Sequence, residues 1–495
     1  MVFALVGLCP VFAASSLYKA KAGTETSMAS QPPTDSNCGS AKSTSTEHIV
    51  HDFISAVAPY LQKYVYGPER GLSEDRYFGQ DSDGQFRLRA ERSTFGLMLT
   101  DEDLSKFPGY QECVSCLSAD PTIGPHIGCM VGTQQTLIGM YASNVIKPLL
   151  YTALGDGEIK FSSERFQTSW QEMMNFFSAN QIELKTVAPL PYLTATAFPI
   201  RLNEEIVLDR LTADEVTRCY RVGVLQTMSP SFPLLDNRIA VGVRRIRRIT
   251  KVVQSPGTEV ASPDDKDEGN FGRRPYWRDD LMVDDVLSAL RLFKPTSIRT
   301  AGFASWTDAY FLRGGTTFRQ LGQSHYHGKL ELAAEDIPQL IELWNLLAAG
   351  AARFGFSIRR FNLAFDRGLI EDRVVDLVIA AEALFLGDID DQYRGELRYR
   401  FALRAAKFIT GSSYSEIEVY RLMRRAYDAR SAIVHGGTPK STSLPDNPTA
   451  NLHAFADAVE NLVRLGLRKV LSMQAEASRL RQADYWDGLV FPNES

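Results

Sequence analysis

Apolar residues recur at helical spacing through much of the chain, and order is predicted to begin at the capping-box pattern Thr44-x-x-Glu47. This pattern stands in front of the predicted helical stretch HIVHDFISAVAPYLQKYV. Helical stretches then mix with short β-like pieces, so residues 46–253 are predicted to form an α+β region. The apolar residues of the first helix lie four positions apart and share one face: Ile49, Phe53, Val57 and Leu61.

The last part of that region predicts a helix and a strand. Thr212-x-x-Glu215 is a second capping box. The stretch NRIAVGVRRIRRITKVV is rich in β-branched residues, as strands are. Two interpretations of its charge stay open: the arginines pair with nearby carboxylates, or they form a surface that binds nucleic acid or phosphate. The basic residues of this run are Arg244, Arg245, Arg247, Arg248 and Lys251.

A change in pattern at residues 254–275 predicts a domain boundary. This stretch, QSPGTEVASPDDKDEGNFGRRP, has almost no large apolar residue and reads as a linker or a long exposed loop. Beyond it the pattern is strongly helical, with a mainly helical connecting region at 276–356 and a helical bundle at 357–480. The expected fold class is a multidomain protein with an α+β N-terminal region and an all-α C-terminal bundle.

Composition and net charge limit the kinds of ligand site and cellular compartment that fit this chain. The 495 residues are 44% apolar and carry a formal net charge of −5, so any site for a polyanion must be local. Six cysteines are too few and too unevenly spaced for a disulfide scaffold, which favours a reducing cytoplasm. No later stretch approaches the roughly 20 apolar residues of a membrane span, so we expect no membrane partner.

Residues 1–45 are rich in Ser, Thr and Pro after an apolar start, and they predict a flexible tail. The opening MVFALVGLCPVFAASSLYK resembles the apolar part of a secretion signal, but no Lys or Arg precedes it. Three interpretations of residues 1–27 stay open: a signal, a tail, or an extension upstream of a true start at Met28.

The stretch RLMRRAYDARSAIVHGG, residues 421–437, predicts an amphipathic helix that ends at a double glycine. Arg430 and His435 are five residues apart, about 140° around a helix axis, and could still converge on one ligand. A histidine in the last turn suits acid–base chemistry near neutral pH. The alternative is that Arg430 pairs with Asp428 or Glu382 and His435 only caps carbonyls. The predicted buried stripe is Val419, Leu422, Met423, Ala426, Tyr427, Ile433 and Val434.

The preceding helix adds a basic stripe. Arg400, Arg404 and Lys407 follow one another at i, i+4 and i+7. Residues 393–435 hold nine Lys or Arg against four Asp or Glu, although the chain as a whole is acidic. This contrast favours a local site for a polyanion.

Three ordered segments resemble the Apea-like branch of the HEPN superfamily, over about residues 357–480. They are RRFNLAFDRGLIEDRVVDLVIAAEALFL, ELRYRFALRAAKFI and YDARSAIVHGG. The resemblance implies a helical bundle that commonly forms homodimers. It also implies an endoribonuclease that requires no cofactor, in a bacterial defence or stress response. Arg430 and His435 match the arginine and the histidine of the R-x4-6-H motif, which in that superfamily lies between two protomers.

The same resemblance implies a role for each site residue. His435 would act as general base or acid on the ribose 2′-OH or the leaving oxygen, and Arg430 would stabilise charge on the phosphate. Glu382 matches an acidic position that orients the arginine or holds the bundle together. Ser431 stands where active relatives often have Asn, Asp or His, a departure that bears on catalysis and not on fold.

RNA is accordingly the expected partner. The candidate residues for binding it are Ser431, Arg400, Arg404 and Lys407. A different class of function stays open beside the nuclease, namely a non-catalytic HEPN module that binds nucleotide, RNA or a protein. The two differ in whether Arg430 and His435 are exposed together in a groove.

The stretch CVSCLSADPTIGPHIGC places soft metal ligands close together in the N-terminal region. Cys113, Cys116, His126 and Cys129 follow a C-x2-C-x9-H-x2-C order, which could supply the four ligands of a closed, structural zinc site. The nine-residue spacer is short for such a site. Ordinary buried or surface thiols are the alternative interpretation.

Overall fold

The structure is a computed structural model, and it describes most of the chain from residue 45 onward. The predicted tail lies outside the described residues apart from Ser45, and so does most of the predicted linker at 254–275. The described ranges are 45–65, 73–82, 86–93, 99–133, 137–155, 160–225, 241–255, 279–312, 316–320, 329–389, 396–409 and 412–491.

Six α-helices lie in the described part of the N-terminal region, and four of them begin at a Ser or Thr cap. The first helix begins one residue after Ser45, whose hydroxyl accepts a hydrogen bond from the His48 N–H at 3.3 Å; the predicted cap Thr44 is outside the described residues. The capping box of Thr212 and Glu215 is confirmed at the start of the sixth helix. The helices are α1 (Thr46–Val65), α2 (Asp101–Ser105), α3 (Tyr110–Ala119), α4 (Ala142–Leu154), α5 (Ser163–Ser178) and α6 (Ala213–Arg221).

Thirteen strands are described. The predicted strand in NRIAVGVRRIRRITKVV is confirmed as the ninth and tenth of them. The strands are β1 (Ser73–Gln80), β2 (Phe86–Ser93), β3 (Met130–Gly132), β4 (Leu137–Gly139), β5 (Gln181–Pro189), β6 (Leu193–Ala195), β7 (Ile200–Arg201), β8 (Ile206–Arg210), β9 (Val241–Thr250), β10 (Val252–Gln254), β11 (Gly302–Thr307), β12 (Thr316–Gln320) and β13 (Leu330–Leu332).

The main sheet has six antiparallel strands in the order β12-β11-β5-β9-β8-β7. Its central pair aligns Gln181 with Thr250 and Pro189 with Gly242. Strands β11 and β12 follow the predicted linker in sequence, and β11 pairs directly with β5. The sheet therefore combines residues from both sides of residues 254–275. Smaller sheets pair β1 with β2, β10 and β4 with β3, and β13 with β6.

The C-terminal part is mostly helical. Its α-helices are α7 (Asp279–Phe293), α8 (Asp336–Asp366), α9 (Ile370–Phe385), α10 (Leu397–Phe408), α11 (Glu416–Val434), α12 (Leu452–Ser472) and α13 (Ala483–Val490). An α+β N-terminal region followed by a largely helical C-terminal part is thus what the structure shows. Among the helices of the described residues, none combines the length and apolar character that a membrane crossing requires.

Among the described residues, three apolar cores hold these elements together. One lies among α1, α3, α4 and α5, and a second lies between α6, β1 and one face of the main sheet. The third runs without interruption from the other face of the sheet into the C-terminal helices. Strand β11 illustrates the division, because Phe303 joins the third core while its neighbour Ala304 points to the second.

Candidate functional site

Helix α11 ends in a backbone arrangement that fixes the position of His435. The Gly436 N–H donates to the Ile433 carbonyl at 2.9 Å, and the Gly437 N–H donates to the Ala432 carbonyl at 2.8 Å. Gly436 has φ +76°, the left-handed conformation that glycine adopts most readily. These two bonds are those of a Schellman motif, with His435 as the C-cap residue. The double glycine therefore ends the helix and leaves His435 at its tip.

The tip of α11 is exposed to solvent. His435 is exposed, and Val434 beside it has 55% of its surface accessible. The prediction that Val434 belongs to the buried stripe is therefore wrong, because the helix leaves the core in its last turn. The stripe holds at Val419, Leu422, Met423 and Ala426, which are buried, while Tyr427 and Ile433 are half-buried.

Arg430 lies beside Glu382 of helix α9. The Arg430 Nη2 is 3.8 Å from the Glu382 Oε2, and 32% of the Arg430 side chain is exposed. Burial raises the pKa of the Glu382 carboxyl, and the positive charge of Arg430 acts in the opposite direction. The other predicted partner, Asp428, pairs instead with Arg398. The Arg430 Nε is buried and has no hydrogen-bond acceptor among the described residues, so the part of this side chain that a ligand can reach is its exposed third.

The four predicted substrate-binding residues lie in different surroundings. Arg404 is buried, donates to both Asp388 carboxylate oxygens at 2.6 and 3.0 Å, and lies over the ring of Trp486. Its guanidinium is thus held within the protein. Lys407 pairs with Glu416 at 2.8 Å, whereas Arg400 is exposed. Ser431 is half-buried, and its carbonyl accepts the His435 N–H at 3.2 Å.

The basic run of β9 is largely engaged with carboxylates and carbonyls. Arg244 donates from Nε and Nη2 to the buried carboxylate of Glu215 at 2.6 and 2.8 Å, and from Nη1 to Asp209 at 3.0 Å. Arg245 pairs with Glu205 at 2.9 Å. Lys251, just beyond the strand, donates to the Phe176 and Phe177 carbonyls, and burial lowers its pKa. These contacts favour the first of the two interpretations of this charge.

The four predicted zinc ligands do not form one ligand group in the described structure. Cys113 lies in the core of α1, α3, α4 and α5, where burial raises the pKa of its thiol to about 12. The His126 Nδ1 is 3.1 Å from the Thr122 carbonyl, and the Cys129 thiol lies 3.7 Å from the Pro125 carbonyl. In the described ranges, three or more possible ligand atoms lie within 4.8 Å of one another only at His48, His51 and Asp52.

This exposed group on α1 was not predicted from the sequence. His48 and His51 each approach the Asp52 Oδ1 through Nδ1, at 3.5 and 3.2 Å, and the His51 Nε2 is 3.1 Å from the Ser163 hydroxyl. The signal in the sequence is the spacing i, i+3, i+4, which puts the three side chains on one helix face. Contacts with Asp52 and Ser163 account for the group as it stands.

Comparison with known proteins adds no assignment. The chain has no significant match among protein-family models, curated protein sequences or solved structures. The geometry described above, with the resemblance noted from the sequence, is what supports a proposal of function.

Proposed function

We propose that the C-terminal helices form a HEPN-like bundle that cleaves RNA without a metal ion, through Arg430 and His435. One observation carries the proposal. The Schellman end of α11 leaves the His435 side chain exposed, five residues after the partly exposed Arg430, whose contact with Glu382 is loose at 3.8 Å. An imidazole and a guanidinium on one RNA phosphodiester would supply the acid–base group and the charge stabiliser that its cleavage uses.

The proposed reaction is an internal displacement at phosphorus. His435 takes the proton of a ribose 2′-OH, whose oxygen attacks the adjacent phosphorus as the bond to the 5′ oxygen breaks. The leaving oxygen gains a proton from a second acid, so the products carry a 2′,3′-cyclic phosphate and a 5′-hydroxyl. Arg430 stabilises the charge that builds on the phosphate oxygens. Glu382, at 3.8 Å, orients Arg430.

A homodimer would supply that second acid. One imidazole cannot be base and acid in the same step, whereas two protomers bring two copies of His435. We therefore propose that the active species is a dimer whose contact surface includes the tip of α11. Val434 is exposed at that tip, and its burial in a dimer contact would contribute to association.

Exposed cations of α10 and α11 add positive charge that suits an RNA backbone. Arg421 and Arg424 are exposed on α11, and Arg425 is half-buried. Arg400 adds an exposed cation from α10. Such contacts bind phosphate without reading sequence and weaken as salt rises. Arg404 supports the bundle instead, because its guanidinium is held by Asp388.

The test is cleavage of mixed RNA in EDTA by the full chain, the variants Arg430→Ala and His435→Ala, and matched controls. Arg201→Ala removes an exposed arginine from strand β7, outside the proposed RNA surface, and His48→Ala removes an exposed histidine from α1. We expect each site variant to lose about 100-fold or more in rate, the range for losing an acid–base group or a charge stabiliser. The controls are expected to stay within a few-fold of wild type.

Two results would contradict the proposal. One is cleavage that persists in both site variants, and the other is no cleavage by a wild-type dimer over a range of RNA substrates. RNA binding without cleavage, equal in all five proteins, would favour the non-catalytic binding module. Light scattering on each variant checks that the oligomeric state is unchanged.

A further inference from the structure

A cavity of about 600 Å³ lies away from the Arg–His pair, at the other end of helix α9. Its wall combines the segment after α7, the connection from α8 to α9, and the first turns of α12. The volume is in the range of pockets that enclose a small organic molecule. The polar and basic lining residues that bear on ligand binding are Ser297, Arg299, Arg367, Arg373, His453 and Arg464.

The cavity wall has more positive than negative charge. Four arginines and His453 line it, against two carboxylates, Asp457 and Glu460. Both carboxylates are already bound, because Arg373 contacts Asp457 at 2.7 Å and also Glu460, and Arg464 contacts Glu460. Arg367 pairs with Asp376, which lies outside the lining. The lining carboxylates therefore offset only part of the positive charge.

Arg299 faces this cavity from a half-buried position. Burial lowers the pKa of its guanidinium, the carboxylate of Asp366 raises it, and the charge of Arg373 lowers it further. A desolvated cation beside another cation gains stability from a nearby anion. An anionic ligand in the cavity would add its negative charge to that of the carboxylates near Arg299 and Arg373.

The backbone adds donors on the same wall. Helix α9 spans 16 residues and begins after Leu369 with no side-chain cap. Gly368, Leu369 and Ile370, at this helix start, line the cavity. The first amides of a helix have no intrahelical acceptor and favour anions. Phe365, Leu369 and Ile370 also give the wall an apolar part, so the cavity can hold more than an inorganic ion.

We propose that this cavity binds a small organic phosphate, with the phosphate group against Arg299, Arg373 and the start of α9, and the organic part against Phe365 and Leu369. Arginine forks match the geometry of phosphate oxygens, and several arginines at one point favour a dianion. A concave cavity of this volume suits a small molecule rather than a polymer backbone. The site is separate from the proposed nuclease function and does not depend on it.

The experiment is calorimetric titration of the full chain with AMP and pyrophosphate, beside neutral adenosine and the dicarboxylate succinate. Ser297→Asp is the informative variant, because it puts a carboxylate into the cavity without removing an ion pair that the structure contains. Ser297→Ala is its matched control. Arg299→Gln removes a proposed ligand. Circular dichroism and thermal unfolding of each variant report whether it is folded.

We expect one AMP or pyrophosphate per chain, with affinity that falls as salt rises. Ser297→Asp should weaken this binding at least about tenfold, by like-charge repulsion, while Ser297→Ala stays within about twofold. Arg299→Gln should weaken it as well, and adenosine should not bind. Binding that Ser297→Asp leaves unchanged would overturn the proposal. No saturable binding of either phosphate up to about 10 mM would also overturn it, as would succinate binding as tightly as AMP.

Discussion

Arginine is concentrated in two parts of this chain, strand β9 and the helix pair α10–α11, and the two parts use it differently. On β9, Arg244 is held by Glu215 and Asp209 through three short hydrogen bonds. On α11, Arg430 has a looser contact of 3.8 Å with Glu382. Five of the eight residues 244–251 are Lys or Arg, against nine of the 43 residues 393–435, so charge density in the sequence does not identify the more available arginine. What separates a structural arginine from an available one is the carboxylate that the fold brings to it.

A second contrast lies within the helices themselves. Arg400 and Arg404 are one turn apart on α10, yet Arg400 is exposed and Arg404 is buried in an ion pair with Asp388. Their spacing alone predicts that they act together. Arg404 pairs with Asp388, after α9, and contacts Trp486 of α13, so it stabilises the fold. Arg400 remains open to a ligand.

The largest effect should come from breaking the β9 pairing. Only 2% of the Glu215 side chain is exposed, and Glu215→Ala would leave Arg244 without its main partner. We expect a loss of about 3–5 kcal/mol in the free energy of unfolding, measured by urea denaturation. Glu205→Ala is the control, because Glu205 is 47% exposed and its pair with Arg245 should contribute less than about 1 kcal/mol. Equal losses in the two variants would refute the contrast.

Removal of Arg404 should rank next. Arg404→Ala leaves the buried Asp388 carboxylate without its bidentate donor and removes the contact with Trp486. We expect about 3 kcal/mol of destabilisation by the same denaturation assay. Arg400→Ala, one turn earlier and exposed, should change stability by less than about 0.5 kcal/mol. A larger effect of Arg400→Ala would mean that the exposed arginine has a structural role.

The backbone at the tip of α11 offers a smaller, local test. Gly436→Ala should cost about 1 kcal/mol, because alanine does not readily adopt φ +76° although the space around Gly436 is open. Gly437→Ala, without a positive φ, should cost less. Thermal unfolding compares the two variants, and the His435 ring resonances in an NMR spectrum report whether the tip moves. Equal stability of both variants would argue against the left-handed cap.

The smallest effect concerns the pH dependence of the Glu382–Arg430 contact. Burial raises the Glu382 pKa above its ordinary 4.5, so the folded protein binds this proton more tightly than the unfolded chain does. This stabilisation is fully present below the unfolded pKa and is lost as pH rises through the folded pKa.

Glu382→Gln removes the titrating group. Relative to wild type, its free energy of unfolding should therefore increase between about pH 4 and pH 7. Urea denaturation across that range measures the difference. A difference that shrinks as pH rises would show that Arg430 outweighs burial, and the contact would then resemble the tight pairs of β9.

Local features of the fold could be predicted from the sequence. The capping box of Thr212 and Glu215, the strand β9 and most of the buried face of α11 follow from residues within a few positions of one another. Sheet order could not be predicted in the same way. The pairing of β11 with β5 joins Trp306 to Lys185 across the predicted boundary, and no local pattern encodes such a partner.

The candidate site shows the same limit. The double glycine correctly placed His435 at a helix end, and Glu382 was one of the two carboxylates expected beside Arg430. The arginine-lined cavity could not be predicted from the sequence, because Arg299, Arg373 and Arg464 come from three separate stretches of the chain. A sequence shows where charged residues are dense along the chain. A cavity depends instead on which distant segments the fold brings into contact.

The continuous third core has a consequence for the integrity of the chain. Ala188 and Val243 of the sheet and Phe361 and Leu467 of the helices belong to one apolar cluster, so this core is shared by the parts of the chain before and after residues 255–279. A peptide bond cut between residues 255 and 279 would leave two pieces that remain associated through that cluster. Two polypeptides expressed separately, ending and beginning in this interval, should be poorly soluble alone and should reassemble when mixed.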